Sequence, residues 1–212
     1  MLDYTTKKLS RGIFISIEGM DGCGKSTQTR KLKKILEQQG LPVAITKEPC
    51  RSVIGKQLNK ILKSERLSPK IELMLFMAAR YDHIQTVILP KLKQNICVIS
   101  DRFIDSTLCY QGILGKIDIK WIQDLHNSVC GIWPDVTYLL DINPVTVVDR
   151  IKNRPVKHFY DSMPLKQQTV IREGFLHIAT LFPERIMVVD ANKFGKTTSI
   201  IVEHLMRKLA KI

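Results

Sequence analysis

The sequence predicts an α/β architecture in which five parallel β-strands alternate with helices that cover both faces of the sheet. Three observations lead there. Five short runs rich in β-branched residues recur along the chain, with helical periodicity between them. The first strand-to-helix junction carries a glycine-rich turn ending in Lys25-Ser26. No linker, repeat or low-complexity tract divides the 212 residues, which suffice for one good core, so 1–212 reads as a single domain.

The glycine-rich turn, Gly19-Met20-Asp21-Gly22-Cys23-Gly24-Lys25-Ser26, satisfies G-x-x-x-x-G-K-[ST]. Ile13-Phe14-Ile15-Ser16-Ile17 before it is apolar enough for a buried strand. Thr27 to Gln39 after it repeats Leu32, Ile35 and Leu36 at helical spacing until Gly40-Leu41-Pro42 stops the run. In this context the turn is the phosphate loop of a P-loop NTPase. Its glycines let successive N–H groups converge beside the positive end of the helix, which suits an anion. Lys25 is placed to reach the β- and γ-phosphates of a nucleotide, and the Ser26 hydroxyl to ligate Mg²⁺.

Pro42 to Thr46 reads as the second strand, followed by a helix with Ile54, Leu58, Ile61 and Leu62 on one face. Ser68-Pro69 starts the next helix, which runs from Ile71 to Leu92. Phe76, Arg80 and His83 fall on one stripe of it, an aromatic ring, a guanidinium and an imidazole in line. Ile96 to Ser100 is a strand buried on both faces that ends in Asp101-Arg102-Phe103. If it neighbours the first strand, Asp101 and Arg102 stand beside the phosphate loop, in the crevice where open parallel sheets bind ligands. Asp101 then suits a Walker-B-type carboxylate for Mg²⁺, and Arg102 a clamp for a second phosphate.

Ser106, Thr107, Tyr110, Gln111 and Gly112 form a polar patch on a short helical segment, and Trp121 to Val129 is another helix. Val136 to Leu140 is the fourth strand, and Asn143-Pro144 opens a helix bearing Arg150 and Arg154. The basic and aromatic stretch Arg154 to Asp161, within a segment of about 150–163, reads either as a short lid over phosphates or as an ordinary loop. Arg185 to Val189 is the fifth strand, Asp190-Ala191-Asn192 the turn after it, and a helix with Ile201, Leu205 and Leu209 on one face closes the domain.

Composition narrows the classes. No apolar run approaches the ~18 residues of a membrane span, and residues 1–11 form a polar, basic extension with no apolar core, so a cytoplasmic protein is expected. Five scattered cysteines without a C-x-x-C pair argue for reduced, buried thiols. The net charge of +13 favours anionic partners, yet the cations are spread along the chain. Polyphosphate substrates account for it, and no stable nucleic-acid partner is expected.

With these motifs in order, the chain resembles the thymidylate kinases, which phosphorylate dTMP. The marks are Ile17-Glu18-Gly19 through Thr27, Thr46-Lys47-Glu48-Pro49, Leu75 to Arg80, Asp101-Arg102-Phe103, Tyr110-Gln111-Gly112, Pro134-Asp135 and Val189-Asp190-Ala191. The resemblance implies ATP bound by Gly19, Met20, Asp21, Gly22, Cys23, Gly24, Lys25, Ser26 and Thr27, with Asp190, Ala191 and Asn192 touching adenine. It implies dTMP held by Phe76 stacking on thymine, Arg80 on the base edge, and Asp21 near the sugar hydroxyl. Arg102 clamps the phosphate, Ser106, Thr107, Tyr110 and Gln111 form the pocket wall, and Arg51 reaches toward the acceptor phosphate. Lys25 and Arg102 are the implied catalytic cations. The phosphate loop lacks the arginine that one branch of the family carries, so Arg150 or Arg154 is the candidate for neutralising charge during transfer. A homodimer and Mg²⁺, held by Ser26 and Asp101, are implied as well. The rival readings are a kinase for another small acceptor and a nucleic-acid-binding P-loop protein.

Overall fold

In a computed structural model, which describes residues 10–152, 163–192 and 195–210, every residue of β1 (Phe14–Glu18) and β3 (Cys97–Asp101) is buried. So is all of β4 (Val136–Asp141) except its last residue. Strands covered on both faces need no polar alternation, which is why they read as continuous apolar runs. β2 (Val43–Lys47) and β5 (Ile186–Asp190) are partly exposed and form the edges. The sheet order is β2-β3-β1-β4-β5 and every pairing is parallel.

The register sets the site. Ile17 pairs with Asp101 and Glu18 with Leu139, so the carboxyl ends of β1, β3 and β4 lie level. The loops that follow β1 and β3 therefore open side by side, at the switch point where the connections change direction. On one face α1 (Lys25–Gln38) packs against α9 (Lys196–Leu209) and the sheet. On the other, α8 (Leu165–Leu181) packs against β4, β5 and the helical segment after β3. No helix among the described residues is long and apolar enough to cross a membrane.

The helix predicted over Ile71 to Leu92 is not uniformly α. α2 (Val53–Ser64), capped by the Ser52 hydroxyl accepting from the Gly55 amide at 3.1 Å, leads to α3 (Pro69–His83). A π-helical turn, Ile84–Ile88, then joins α3 to α4 (Leu89–Leu92). Pro90 has no N–H, and its ring would clash with the carbonyl four residues back, so the ladder widens ahead of it. A second π segment, Leu108–Leu114, continues α5 (Ile104–Thr107) and bears Tyr110 and Gln111. α6 (Ile119–Val129) and α7 (Pro144–Lys152) complete the described helices. Cys23, Cys97 and Cys109 are buried as expected, whereas Cys50, in the turn between β2 and α2, and Cys130, at the end of α6, are half-buried.

One buried ion pair ties the second face together. Asp105, 1% exposed, takes two bonds from Arg185, at 2.6 and 2.7 Å, and one from the Thr137 hydroxyl at 3.0 Å. The same guanidinium lies over the rings of Trp133 and Phe182, at 5.0 and 4.8 Å from their centroids. Removing one partner strands the other charge in the interior, so Asp105→Ala is expected to cost about 3–5 kcal/mol in a urea unfolding experiment. A loss below about 1 kcal/mol, the range of an exposed pair, would show that Arg185 finds another partner.

Candidate functional site

The phosphate loop begins where β1 ends. Gly19 has φ +131°, and a Cβ there would sit 2.7 Å from the Leu140 carbonyl oxygen, so no other residue fits. Gly24, φ 104°, caps α1 without any side-chain bond, which leaves the first amides of that helix to an anion. Lys25 is buried, and its ammonium donates to the carbonyls of Gly19 and Met20 at 2.9 and 2.8 Å, with Asp21 at 3.8 Å. The lysine thus holds the curl of its own loop.

Ser26 donates to Asp101 Oδ2 at 2.5 Å, while Asp101 Oδ1 is buried with no hydrogen-bond partner among the described residues. A buried carboxylate oxygen left unpaired is costly. A hydroxyl beside such an oxygen fits the oxygen-rich shell that Mg²⁺ prefers. The donor set therefore suits the metal that the resemblance implies.

Arg102 follows Asp101 with φ 76°, a left-handed conformation that costs a non-glycine residue about 1–2 kcal/mol. The turn is held from three sides. The Arg102 amide donates to Ile17 O at 3.1 Å, its carbonyl accepts from the Ser100 hydroxyl at 2.7 Å, and the Phe103 amide donates to Glu18 Oε1 at 2.6 Å. The guanidinium, so aimed, bonds Asp21 in the phosphate loop at 2.8 Å and Ser106 at 2.8 Å, over the Tyr110 ring. Burial works against its charge, but Asp21, Tyr110, Glu18 and Asp101 outweigh that and raise its pKa well above the usual value. Burial, and then the Asp105 carboxylate, raise the Glu18 pKa to about 7 against the pull of Arg102, Ser106 and the Phe103 amide.

A cleft of about 650 Å³ opens in front of Arg102. Its floor is a second buried network. Arg80, 2% exposed, donates to Glu48 Oε2 at 2.9 Å, to the Thr107 hydroxyl at 2.9 Å and to Phe103 O at 3.3 Å. His83 sits 3.2 Å from Glu48 Oε1 and 2.6 Å from the Thr46 hydroxyl. The stripe of Phe76, Arg80 and His83 is thus divided: Phe76 and Arg80 line the cleft while His83 backs the network.

Asp21, Phe76, Arg80, Arg102, Ser106, Thr107, Tyr110 and Gln111 are brought together around this one cleft. Arg51 is not; it is exposed ahead of α2, and Pro49 and Cys50 line the cleft instead. Arg150 approaches the phosphate loop from the other side, 3.4 Å from Gly22 O. Asp190 accepts from the Asn192 amide at 2.9 Å, and Ala191 N–H bonds Asp141 O at 2.7 Å. Thr198, early in α9, bonds Gln28 early in α1 at 2.7 Å, which joins the start of the last helix to the helix that follows the phosphate loop. Arg154 and most of the lid segment lie outside the described residues. Sequence reasoning gave no role to Glu18, Glu48 or Glu72, the last accepting from Gln111 at 2.8 Å. For Glu18 a signal existed, an acid closing an otherwise buried strand.

Burial alone would raise the Glu48 pKa, yet Arg80 and His83 bring it below the ordinary value. A depressed carboxyl contributes stability above its ordinary pKa, roughly 4.3, and loses it as acid protonates the folded state. Glu48→Gln should therefore be destabilised by about 3–5 kcal/mol at neutral pH, and the gap from wild type should narrow below about pH 4. Urea unfolding at both pH values checks this; an unchanged gap in acid would mean that the charge of Glu48 is not what counts.

Comparison with known proteins agrees with this geometry. A family model described as thymidylate kinase matches residues 17–199. The thymidylate kinase of Rickettsia typhi is 38% identical over 201 residues, covering 93% of this chain and 99% of that protein. That of Rickettsia peacockii is 36% identical over 200 residues, covering 93% and 98%. A crystal structure of thymidylate kinase from Ehrlichia chaffeensis superposes with a TM-score of 0.72 at 30% identity, covering 92% of this chain and 98% of that one. With a cleft set against a phosphate loop and these relatives over almost its whole length, the chain belongs to the thymidylate kinase family.

Proposed function

We propose that the protein transfers the γ-phosphoryl group of ATP to dTMP, giving dTDP, as a Mg²⁺-dependent step toward dTTP in the cytoplasm. The observation that carries this reading is the junction of the two compartments. Asp21 inside the phosphate loop and Arg102 at the acceptor cleft are 2.8 Å apart, so a phosphate on each side would meet there. The family membership supports the choice of acceptor.

Transfer of this kind passes through a loose transition state, and the protein contributes position and charge more than covalent chemistry. In the cleft Phe76 offers a face to thymine, while Arg80 and Thr107 offer donors to its edge. Arg102 holds the acceptor phosphate, and the phosphate-loop amides with Lys25 hold the donor chain. An acceptor oxygen then attacks the γ-phosphorus in line. Ser26 and Asp101 would hold Mg²⁺, which supplies neutralisation of the β- and γ-oxygens. Arg150, beside Gly22, is the described arginine that adds positive charge from the donor side. The exposed apolar residues Val53, Ile54, Ile71, Met74 and Tyr81 of α2 and α3 support a homodimer paired through that face.

Coupled measurement of ADP release with dTMP, dUMP, dCMP, AMP, GMP and thymidine tests the acceptor directly. Turnover should favour dTMP, and thymidine, which gives Arg102 no phosphate, should be inactive. Preference for another monophosphate would reassign the cleft while keeping the chemistry. Arg102→Ala is expected to lose ~10³-fold or more in turnover. Arg102→Gly should be equally inactive but about 1 kcal/mol more stable than Arg102→Ala, since glycine adopts the left-handed turn without strain. Wild-type turnover in either variant would remove Arg102 from the mechanism.

A further inference from the structure

Glu18 is fully buried at the end of β1 and makes no direct ion pair among the described residues, although a carboxylate so placed is normally neutralised by one. Its bonds are instead three neutral donors. Oε1 accepts from the Phe103 amide at 2.6 Å and from the Ser16 hydroxyl at 3.1 Å, and Oε2 accepts from the Ser106 hydroxyl at 2.6 Å. Ser106 in turn accepts from Arg102 Nη1 at 2.8 Å. Two routes therefore run from this one side chain to Arg102: through the backbone of its strained turn, and through Ser106 to its guanidinium.

The direction of the second route depends on Glu18 being a carboxylate. A serine hydroxyl has one proton, and a carboxylate only accepts. With that proton committed to Glu18, the lone pairs of Ser106 face Arg102 and fix one edge of the guanidinium, while Asp21 fixes the other. A side chain that also donates would leave the hydroxyl without a fixed direction. A neutral acceptor would also bind the Phe103 amide less strongly and hold the φ 76° turn less firmly.

We propose that Glu18 is a positioning residue for the acceptor-phosphate clamp, fixing the Arg102 turn through the Phe103 amide and aiming the guanidinium through Ser106. The inference rests on Arg102 binding the acceptor phosphate. It separates from a plain structural role because Gly19, the first residue of the phosphate loop, is the next residue in the chain. General damage at Glu18 would disturb ATP binding at least as much as dTMP binding.

The test is a set of steady-state measurements at pH 8 on wild type, Glu18→Gln, Ser106→Ala and the double variant, with both substrates varied. Glu18→Gln and Ser106→Ala should each raise KM for dTMP ~10-fold, the loss expected of one charge-assisted bond, and leave KM for ATP within about twofold. The double variant should be no worse than Glu18→Gln alone, because that change already breaks the route through Ser106. Unchanged KM for dTMP, an equal rise in both KM values, or additive losses would overturn the proposal. Amide exchange gives a readout that needs no activity: the Phe103 amide should exchange roughly fivefold faster in Glu18→Gln, with the other β1 and β3 amides unchanged. Unaltered exchange at Phe103 overturns the proposal as well. If wild type fails to turn over dTMP, the functional reading falls on that result alone, and exchange decides the role of Glu18.

Discussion

The ion pair between Asp21 and Arg102 spans the two halves of the site, and its existence is a consequence of sheet order. Arg102 follows β3 and Asp21 follows β1; only because these strands are parallel neighbours, with Ile17 beside Asp101, do their loops meet. A sheet in which β1 lay next to β2 would contain every motif and no clamp. The same adjacency carries the Ser26 contact to Asp101 and the Glu18 contacts to Phe103 and Ser106. Much of the site's chemistry thus hangs on one strand pairing.

The two cations nearest the phosphate loop are internally satisfied. Lys25 donates to two carbonyls of its own loop, and Arg102 to Asp21 and Ser106. Burying such cations without partners would be expensive, so the fold supplies provisional ones. On the proposed reading, an entering phosphate would exchange a neutral carbonyl for an anionic oxygen at Lys25, and that exchange would favour the ligand because bonds between ions are the stronger kind. The turn at Arg102 and the curl at Gly19 are already formed without a ligand, so on that reading little reorganisation of the backbone would be needed.

Most of the fold was legible in the sequence because its signals are local. The strands announced themselves by continuous apolar runs, the phosphate loop by spacing, and the polar lining of the cleft by Ser106, Thr107, Tyr110 and Gln111 on one short segment. What was not legible depends on partners far apart in the chain. Asp105 and Arg185 meet across 80 positions, and Ser106 and Glu18 across 88; sequence spacing says nothing about such pairs. Arg51, a position that the resemblance implied, is exposed ahead of α2. The π turn ahead of Pro90 had a visible cause, yet helical periodicity alone does not distinguish a widened turn from a regular one.

The two arginines of the cleft show how burial divides labour between similar groups. Arg102 keeps its partners at the boundary with the phosphate loop, where a ligand can replace or share them. Arg80 has Nε committed to Glu48 and Nη2 to Thr107 and Phe103, with Glu48 itself fixed by His83. Among the described residues its Nη1 bonds only the soft sulfur of Met77, at 3.8 Å, which on the proposed reading leaves that nitrogen to meet a ligand. Under the proposed reading a base would find a donor that cannot swing to suit a different edge, since any movement of Arg80 breaks several buried bonds to make a single new one. On that reading, selectivity at that end of the cleft would come from immobility, and affinity at the other end from exchange.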